Sequence, residues 1–149
     1  MFLDNQLLED MKRSMKAGDK IRVETIRGLR AQLKNAQITK NGELSEEEVI
    51  QVLSNAAKKR KESIEQFNAV GRKDRADIEQ QELDIIHEYL PKQMDEKEIG
   101  ALVNSVFEEV KPESMKDMRK IMSSIMPKVK GRADGKLVQQ IVRDKLSSL

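Results

Sequence analysis

Ser45-Glu46-Glu47-Glu48-Val49-Ile50-Gln51-Val52-Leu53-Ser54-Asn55-Ala56-Ala57 reads as the start of an amphipathic helix, and most of the chain repeats its pattern. Ser45 and Glu48 stand three apart before an apolar run. There the serine oxygen can take the amide of Glu48 while the glutamate reaches back to the amide of Ser45. Behind this capping box Ile50, Leu53, Ala57, Ile64 and Phe67 keep a helical register until Gly71. Working back, Asn41-Gly42 is a turn, Ile26, Leu29, Leu33 and Ala36 form the inner face of a helix capped by Asp19, and Leu7, Met11 and Met15 form another, stopped by Gly18. Working forward, a fourth helix runs from about Asp74 to Tyr89, burying Leu83, Ile86 and Leu90, and halts before Pro91.

Pro91-Lys92-Gln93-Met94 reads as a boundary. Asp95 with Glu98 opens a helix lined by Ile99, Leu102, Val103, Val106 and Val110, which Pro112 ends. Ser114 with Asp117 starts the next, striped by Met118, Ile121, Met122 and Ile125, with a kink or early stop expected at Pro127. Asp134 caps the last helix, whose inner face is Val138, Ile141, Val142 and Leu146. The expectation is an all-α protein of seven helices: an N-terminal domain of about four over residues 1–94 and a small three-helix domain over 95–149. The apolar period is not heptad for long enough to make a continuous coiled coil.

Composition narrows the chemistry. The 149 residues are 36% charged and 38% apolar, with three Phe, one Tyr and no Trp, enough for a core but poor in aromatics. Seven Gly and three Pro are too few for the turns of an all-β sandwich. With no Cys, disulfides, zinc thiolates and a cysteine nucleophile are excluded, and the single histidine, His87, excludes a two-histidine metal motif. No apolar run approaches the roughly 18 residues that span a bilayer. The N-terminal residues carry acids early and lack a small-residue cleavage site, so no secretory signal is read there. A cytoplasmic protein without a cofactor or metal is expected.

The net charge of +2 hides an uneven distribution. Residues 12–40 carry nine Lys/Arg against two acids, residues 74–98 three against nine, and residues 116–149 nine against three. Basic and acidic segments can neutralise one another across helix interfaces, a reading as good as any for residues 12–40. The last segment differs because part of it lies on a turn. In Pro127-Lys128-Val129-Lys130-Gly131-Arg132-Ala133-Asp134-Gly135-Lys136, cations accumulate beside two glycines just before a helix start. Glycine lets amides approach an anion, a helix N-terminus adds positive potential, and Lys and Arg supply charge-assisted hydrogen bonds. This is no P-loop: three residues rather than four separate Gly131 from Gly135, and Leu137 stands where a magnesium-binding hydroxyl belongs. Asp134 would compete for the same amides as a tightly held phosphate. Dispersed phosphates of a nucleic acid fit better than one nucleotide, with Lys128, Lys130, Arg132 and Lys136 in contact and Arg119 and Lys120 flanking.

Other features read as architecture. Lys58-Lys59-Arg60-Lys61 points around most of a helix, and Arg60 lies in the apolar register, its stem on the core and its head turned to an acid. His87, beside Asp84 and Glu88, lacks a nucleophile partner and reads as a partly exposed structural histidine. Glu46, Glu47 and Glu48 suit the dipole of a first turn. Met115, Met118, Met122 and Met126 read as core more readily than as a docking groove. No self-contained catalytic constellation emerges, so no catalytic residue is assigned.

From Met118 to Val138 the chain resembles the GatB/YqeY family. Lys58 to Ser63 and Glu82-Leu83-Asp84-Ile85-Ile86-His87-Glu88-Tyr89-Leu90-Pro91 are similar to further stretches of YqeY-type proteins, so the likeness runs from the first helix to the last. The turn Gly131-Arg132-Ala133-Asp134 is similar to the glycine–lysine–alanine–asparagine turn in the tail domain of the B subunit of tRNA-dependent amidotransferases. Arg119 and Ser123 depart from the pattern, since relatives often carry glycine there. The resemblance implies an all-α fold with a helical tail domain, tRNA as partner, and possible service to an amidotransferase or an aminoacyl-tRNA synthetase. It carries by association the label of carbon–nitrogen ligase with glutamine as amido donor, although nothing matches the amidase or ATP-using cores that do that chemistry. The alternative is a protein–protein adaptor with no nucleic-acid role, docking through the acidic segment 74–98 or the methionine stripe.

Overall fold

The computed structural model describes residues 2–149, with side chains from Leu3 onward. Among them are seven α-helices, one 3-10 turn and no strand, the all-α class expected. The chain divides into two compact units, Met1–Leu90 and Pro91–Leu149, each with its own apolar core.

The first unit holds α1 (Phe2–Ala17), α2 (Lys20–Lys40), α3 (Glu46–Ala69) and α4 (Lys73–His87). Its caps follow the local sequence. Asp19 accepts the amide of Arg22 at the start of α2, and Ser45 and Glu48 form both halves of the capping box at the start of α3. Gly18 and Gly71 take φ of +74° and +73°, the left-handed conformation in which a helix ends without a Cβ penalty. Leu7, Ile26, Leu29, Leu33, Leu53 and Ile86 are fully enclosed, so all four helices contribute to one core. α3 and α4 pack along one another, and Arg60 joins them: its Nε lies 2.8 Å from Glu82 and 3.5 Å from Glu79, the stem-in, head-out placement expected for it. The buried hydroxyls of Ser14 and Thr25 donate to the carbonyls of Asp10 and Ile21, each at 2.8 Å, which removes the cost of an unpaired polar group.

The second unit holds α5 (Glu96–Val110), the 3-10 turn Met115–Asp117, α6 (Met118–Val129) and α7 (Gly135–Ser147). Ile99, Val103, Val106, Ile121, Ile125, Val129, Val138 and Val142 form its core. Two local features depart from the sequence reading. Ser114 caps the 3-10 turn and α6 begins only at Met118, because Asp117 turns its carboxylate back to the amide of Glu113 at 2.8 Å. Pro127 does not stop α6, which runs on to Val129. The amide that Pro127 lacks would have met the carbonyl of Ser123, an exposed residue, and the continued helix carries Val129 into the core one turn after Ile125. The methionines divide: Met118 and Met122 pack on the core, while Met115 and Met126 are exposed.

Candidate nucleic-acid interface

The bend between α6 and α7 is built from backbone bonds. The buried Val129 offers one carbonyl to two amides, those of Arg132 at 2.8 Å and Ala133 at 3.1 Å, and Gly131 just before them takes φ of +74°. Asp134 then caps α7 by accepting the amide of Lys136 at 3.0 Å. The stretch 91–94 closes on this bend from far away in sequence. Met94 N–H donates to the Arg132 carbonyl at 2.7 Å, Gln93 Nε2 to the Gly131 carbonyl at 2.7 Å, and Arg132 Nε to the Lys92 carbonyl at 3.0 Å.

The six cations singled out by sequence are not equivalent on this frame. Lys128, Lys130 and Lys136 are exposed around the bend, whereas Arg132 is half-buried and holds its neighbour's backbone. Arg119 and Lys120 are exposed on the first turn of α6, roughly 12 Å along the helix axis from Lys128 at 1.5 Å per residue. Ser123 follows Arg119 by one turn on the same outer face, so neither departure from glycine disturbs packing within the unit. Among the described residues, the heads of Arg119, Lys120, Lys128 and Lys136 meet no carboxylate and no hydrogen-bond acceptor.

The acids that could neutralise them are held by uncharged donors. Over residues 116–149 there are three, and each has a partner: Asp117 the amide of Glu113, Asp134 the amide of Lys136, Asp144 the side-chain amide of Gln140 at 2.8 Å. A carboxylate in such a bond is fixed in place by a neutral donor and not by a neighbouring cation. The remaining cation of α7 with a partner is Lys145, which lies 4.9 Å from the ring centre of Phe107 and donates to Asn104. Phe107 is the sole aromatic of the unit and is buried, which leaves no ring on which a base could stack. The surface suits phosphate contacts through separate positive side chains. The carboxylate of Asp134 already takes the amide of Lys136 at the start of α7 and competes there with an outside anion.

Sequence reasoning missed a polar cluster in the first unit. Tyr89 donates to Asp10 at 2.5 Å across 79 positions of chain, Arg13 bonds the same carboxylate, and Arg22 reaches Glu88 at 2.6 Å. Together with Gln6, Ser14, Ala17 and Asp19 they line an open cleft of about 430 Å³. The tyrosine hydrogen bond, helped by Arg13, holds the Asp10 carboxyl below its ordinary range, while burial and the adjacent carboxylate push the Tyr89 phenol far above its own. Every charge in the cleft has a partner, the mark of an internal brace. No local pattern could have announced it, since its members come from both ends of the unit.

His87 is half-buried, with its Nε2 shut off from solvent and without a partner among the described residues. Burial, and to a lesser degree Lys61, hold its imidazole below the ordinary value against the opposing pull of Asp84. No group of three or more His, Cys, Asp or Glu that could hold a metal ion occurs among the described residues. No helix there is long and apolar enough to cross a membrane.

Comparison with known proteins gives the frame a family. The chain is 43% identical over 68 residues to the E subunit of the glutamyl-tRNA(Gln) amidotransferase of Saccharolobus solfataricus, a match covering 44% of this chain and 11% of that one. It is 36% identical over 115 residues to "Altered inheritance of mitochondria protein 41, mitochondrial" of Lachancea thermotolerans, covering 74% of this chain and 62% of the relative. The protein of the same name from Pyrenophora tritici-repentis is 29% identical over 143 residues, 93% of this chain and 78% of the relative. The chain thus spans about a tenth of the amidotransferase polypeptide and under two thirds of the Lachancea protein. The family described as Yqey-like protein matches residues 4–146, nearly the whole length, and the chain belongs to that family.

Proposed function

We propose that this chain is a tRNA-binding accessory protein of the cytoplasm, gripping the sugar–phosphate backbone of folded RNA with the basic face around the α6–α7 bend. One observation carries the reading: over residues 116–149 the acids are tied to neutral donors, while Arg119, Lys120, Lys128 and Lys136 project without partners. Uncompensated cations on a rigid helical frame raise local phosphate concentration and suit A-form RNA, where phosphates and shape dominate recognition. The relative named as part of a glutamyl-tRNA(Gln) amidotransferase makes tRNA the natural first candidate and an amidotransferase or aminoacyl-tRNA synthetase the natural recipient. No reaction step is assigned to this chain. It would present tRNA and leave the chemistry to others.

The test is a titration of labelled, unfractionated tRNA at two ionic strengths, with wild type and with Lys120→Glu/Lys128→Glu/Lys136→Glu. All three side chains are exposed, so the fold is kept. Binding by the wild type should fall steeply with salt, and the triple variant should bind on the order of 100-fold more weakly. Equal binding by the two proteins removes the site. A wild type that ignores tRNA yet retains a partner through nuclease treatment favours the adaptor, for which the exposed Met115 and Met126 are the nearest apolar surface.

A further inference from the structure

Lys92 lies 40 positions before Arg132, outside every basic run of the sequence. The structure brings the two together. Three hydrogen bonds join residues 92–94 to residues 131 and 132, and one of them runs from Arg132 Nε to the carbonyl of Lys92 itself at 3.0 Å. The backbone of Lys92 is therefore fixed against the bend. Its side chain is exposed and meets no carboxylate among the described residues. The nearest acid along the chain, Asp95, caps α5 by accepting the amide of Glu98 at 2.7 Å, again a neutral donor. The backbone that carries the Lys92 side chain is thus held against the Arg132 guanidinium, no carboxylate among the described residues pairs with that side chain, and an exposed cation so placed on the basic face is open to an anion from outside.

We propose that Lys92 is a further phosphate-binding residue of the basic face, and that Arg132 is the positioning residue that holds it there. This rests on the RNA-binding reading above. Arg132 was grouped by sequence with the contacting cations, but its Nε is already given to the Lys92 carbonyl. The guanidinium then cannot present Nε together with Nη as a two-pronged edge to one phosphate. Its larger part is to dock the 91–94 stretch, and through it to set where the Lys92 ammonium stands. The ligand class is a phosphodiester strand, since a single phosphate gains little from cations spread over a bend and a docked segment.

Anisotropy titrations of unfractionated tRNA across a salt series separate the outcomes. Lys92→Gln should weaken binding several-fold and lower the slope of log affinity against log salt by about one, the signature of one lost phosphate contact. Lys97→Gln makes the same charge change on the exposed first turn of α5, away from the docking bonds, and should leave the slope as it is. Arg132→Lys keeps the charge but loses the Nε–H, so Lys92→Gln should cost less in that background than in the wild type. An unaltered slope for Lys92→Gln, with Lys120→Glu/Lys128→Glu/Lys136→Glu still impaired, overturns this inference and leaves the RNA reading standing. Equal losses from Lys92→Gln and Lys97→Gln also overturn it, because the effect would then be net charge alone. A wild type without affinity for tRNA removes both.

Discussion

The two units use their cations in opposite ways. In the first, sixteen Lys and Arg face seventeen Asp and Glu, and many are closed into pairs: Lys12 with Glu9, Arg13 with Asp10, Arg22 with Glu88, Arg27 with Glu24, Arg30 with Asp4, Lys40 with Glu48, Arg60 with Glu82, Arg72 with Asp74. Six of these pairs draw on residues 12–40, so the basic excess there is mostly absorbed by the unit itself. In the second unit twelve cations face nine acids, and over its last helices the acids are engaged by amides instead. Equal density of charge therefore has different consequences. In one unit it braces helices, and in the other Arg119, Lys120, Lys128 and Lys136 are left facing solvent.

This contrast can be broken by measurement. Removing a bracing cation should cost stability. Arg60→Ala strips a half-buried guanidinium from Glu79 and Glu82 and exposes the apolar surface its stem covers, an expected loss of about 2 kcal/mol, below that of a fully buried pair because water still reaches it. Urea unfolding followed by circular dichroism reads this, and tRNA affinity should not move. An unaffected midpoint would show that the pair is ornamental and the contrast false.

A smaller effect is expected at the brace between Tyr89 and Asp10. Tyr89→Phe should cost on the order of 1 kcal/mol near neutral pH, the lower range for a hydrogen bond to a charged group. The sign with pH follows from the depressed Asp10 carboxyl. Its stabilisation is complete well above the ordinary aspartate value of 3.8 and is lost as pH falls below it toward the folded-state value. Wild type and variant should hence differ at pH 7 and converge at strongly acidic pH. A constant gap across that range would assign the loss to packing of the ring.

The smallest stability effect belongs to the second unit. Lys128→Ala should shift the unfolding free energy by no more than about 0.5 kcal/mol, as for exposed side chains without partners, while weakening tRNA several-fold. If it destabilises as Arg60→Ala does, the supposed free face is part of the fold's support.

Much of the architecture was legible because helices announce themselves locally. The Ser45–Glu48 box, the Asp19 and Asp134 caps and most of the apolar stripes lie within a few residues of what they control, and the structure reproduces them, whereas Met15, placed by spacing on the inner face of α1, is exposed near the end of that helix. Of the kink or early stop expected at Pro127, the stop does not occur, because α6 runs on to Val129. A missing amide costs most where the residue left without its bond is buried, and Ser123 is exposed. The division of roles between Lys128 and Arg132 could not be seen, since both are cations of one short run. What separates them is a carbonyl 40 positions away. The Tyr89–Asp10 bond was hidden for the same reason. Contacts between distant segments leave no period and no spacing in the string.

Asp134 has one more consequence, for selectivity by number of charges. By accepting the amide of Lys136 at the start of α7, its carboxylate competes there with any small anionic solute, inorganic phosphate and free nucleotides included. On the reading proposed above, what remains are separate exposed cations such as Arg119, Lys120, Lys128 and Lys136, each able to hold one anion weakly. Such a surface discriminates by valency: a polymer touching several points gains from each successive contact, and a monomer abundant in solution gains from one alone. On that reading, a single acidic side chain shields a basic face from the commonest competitors around it.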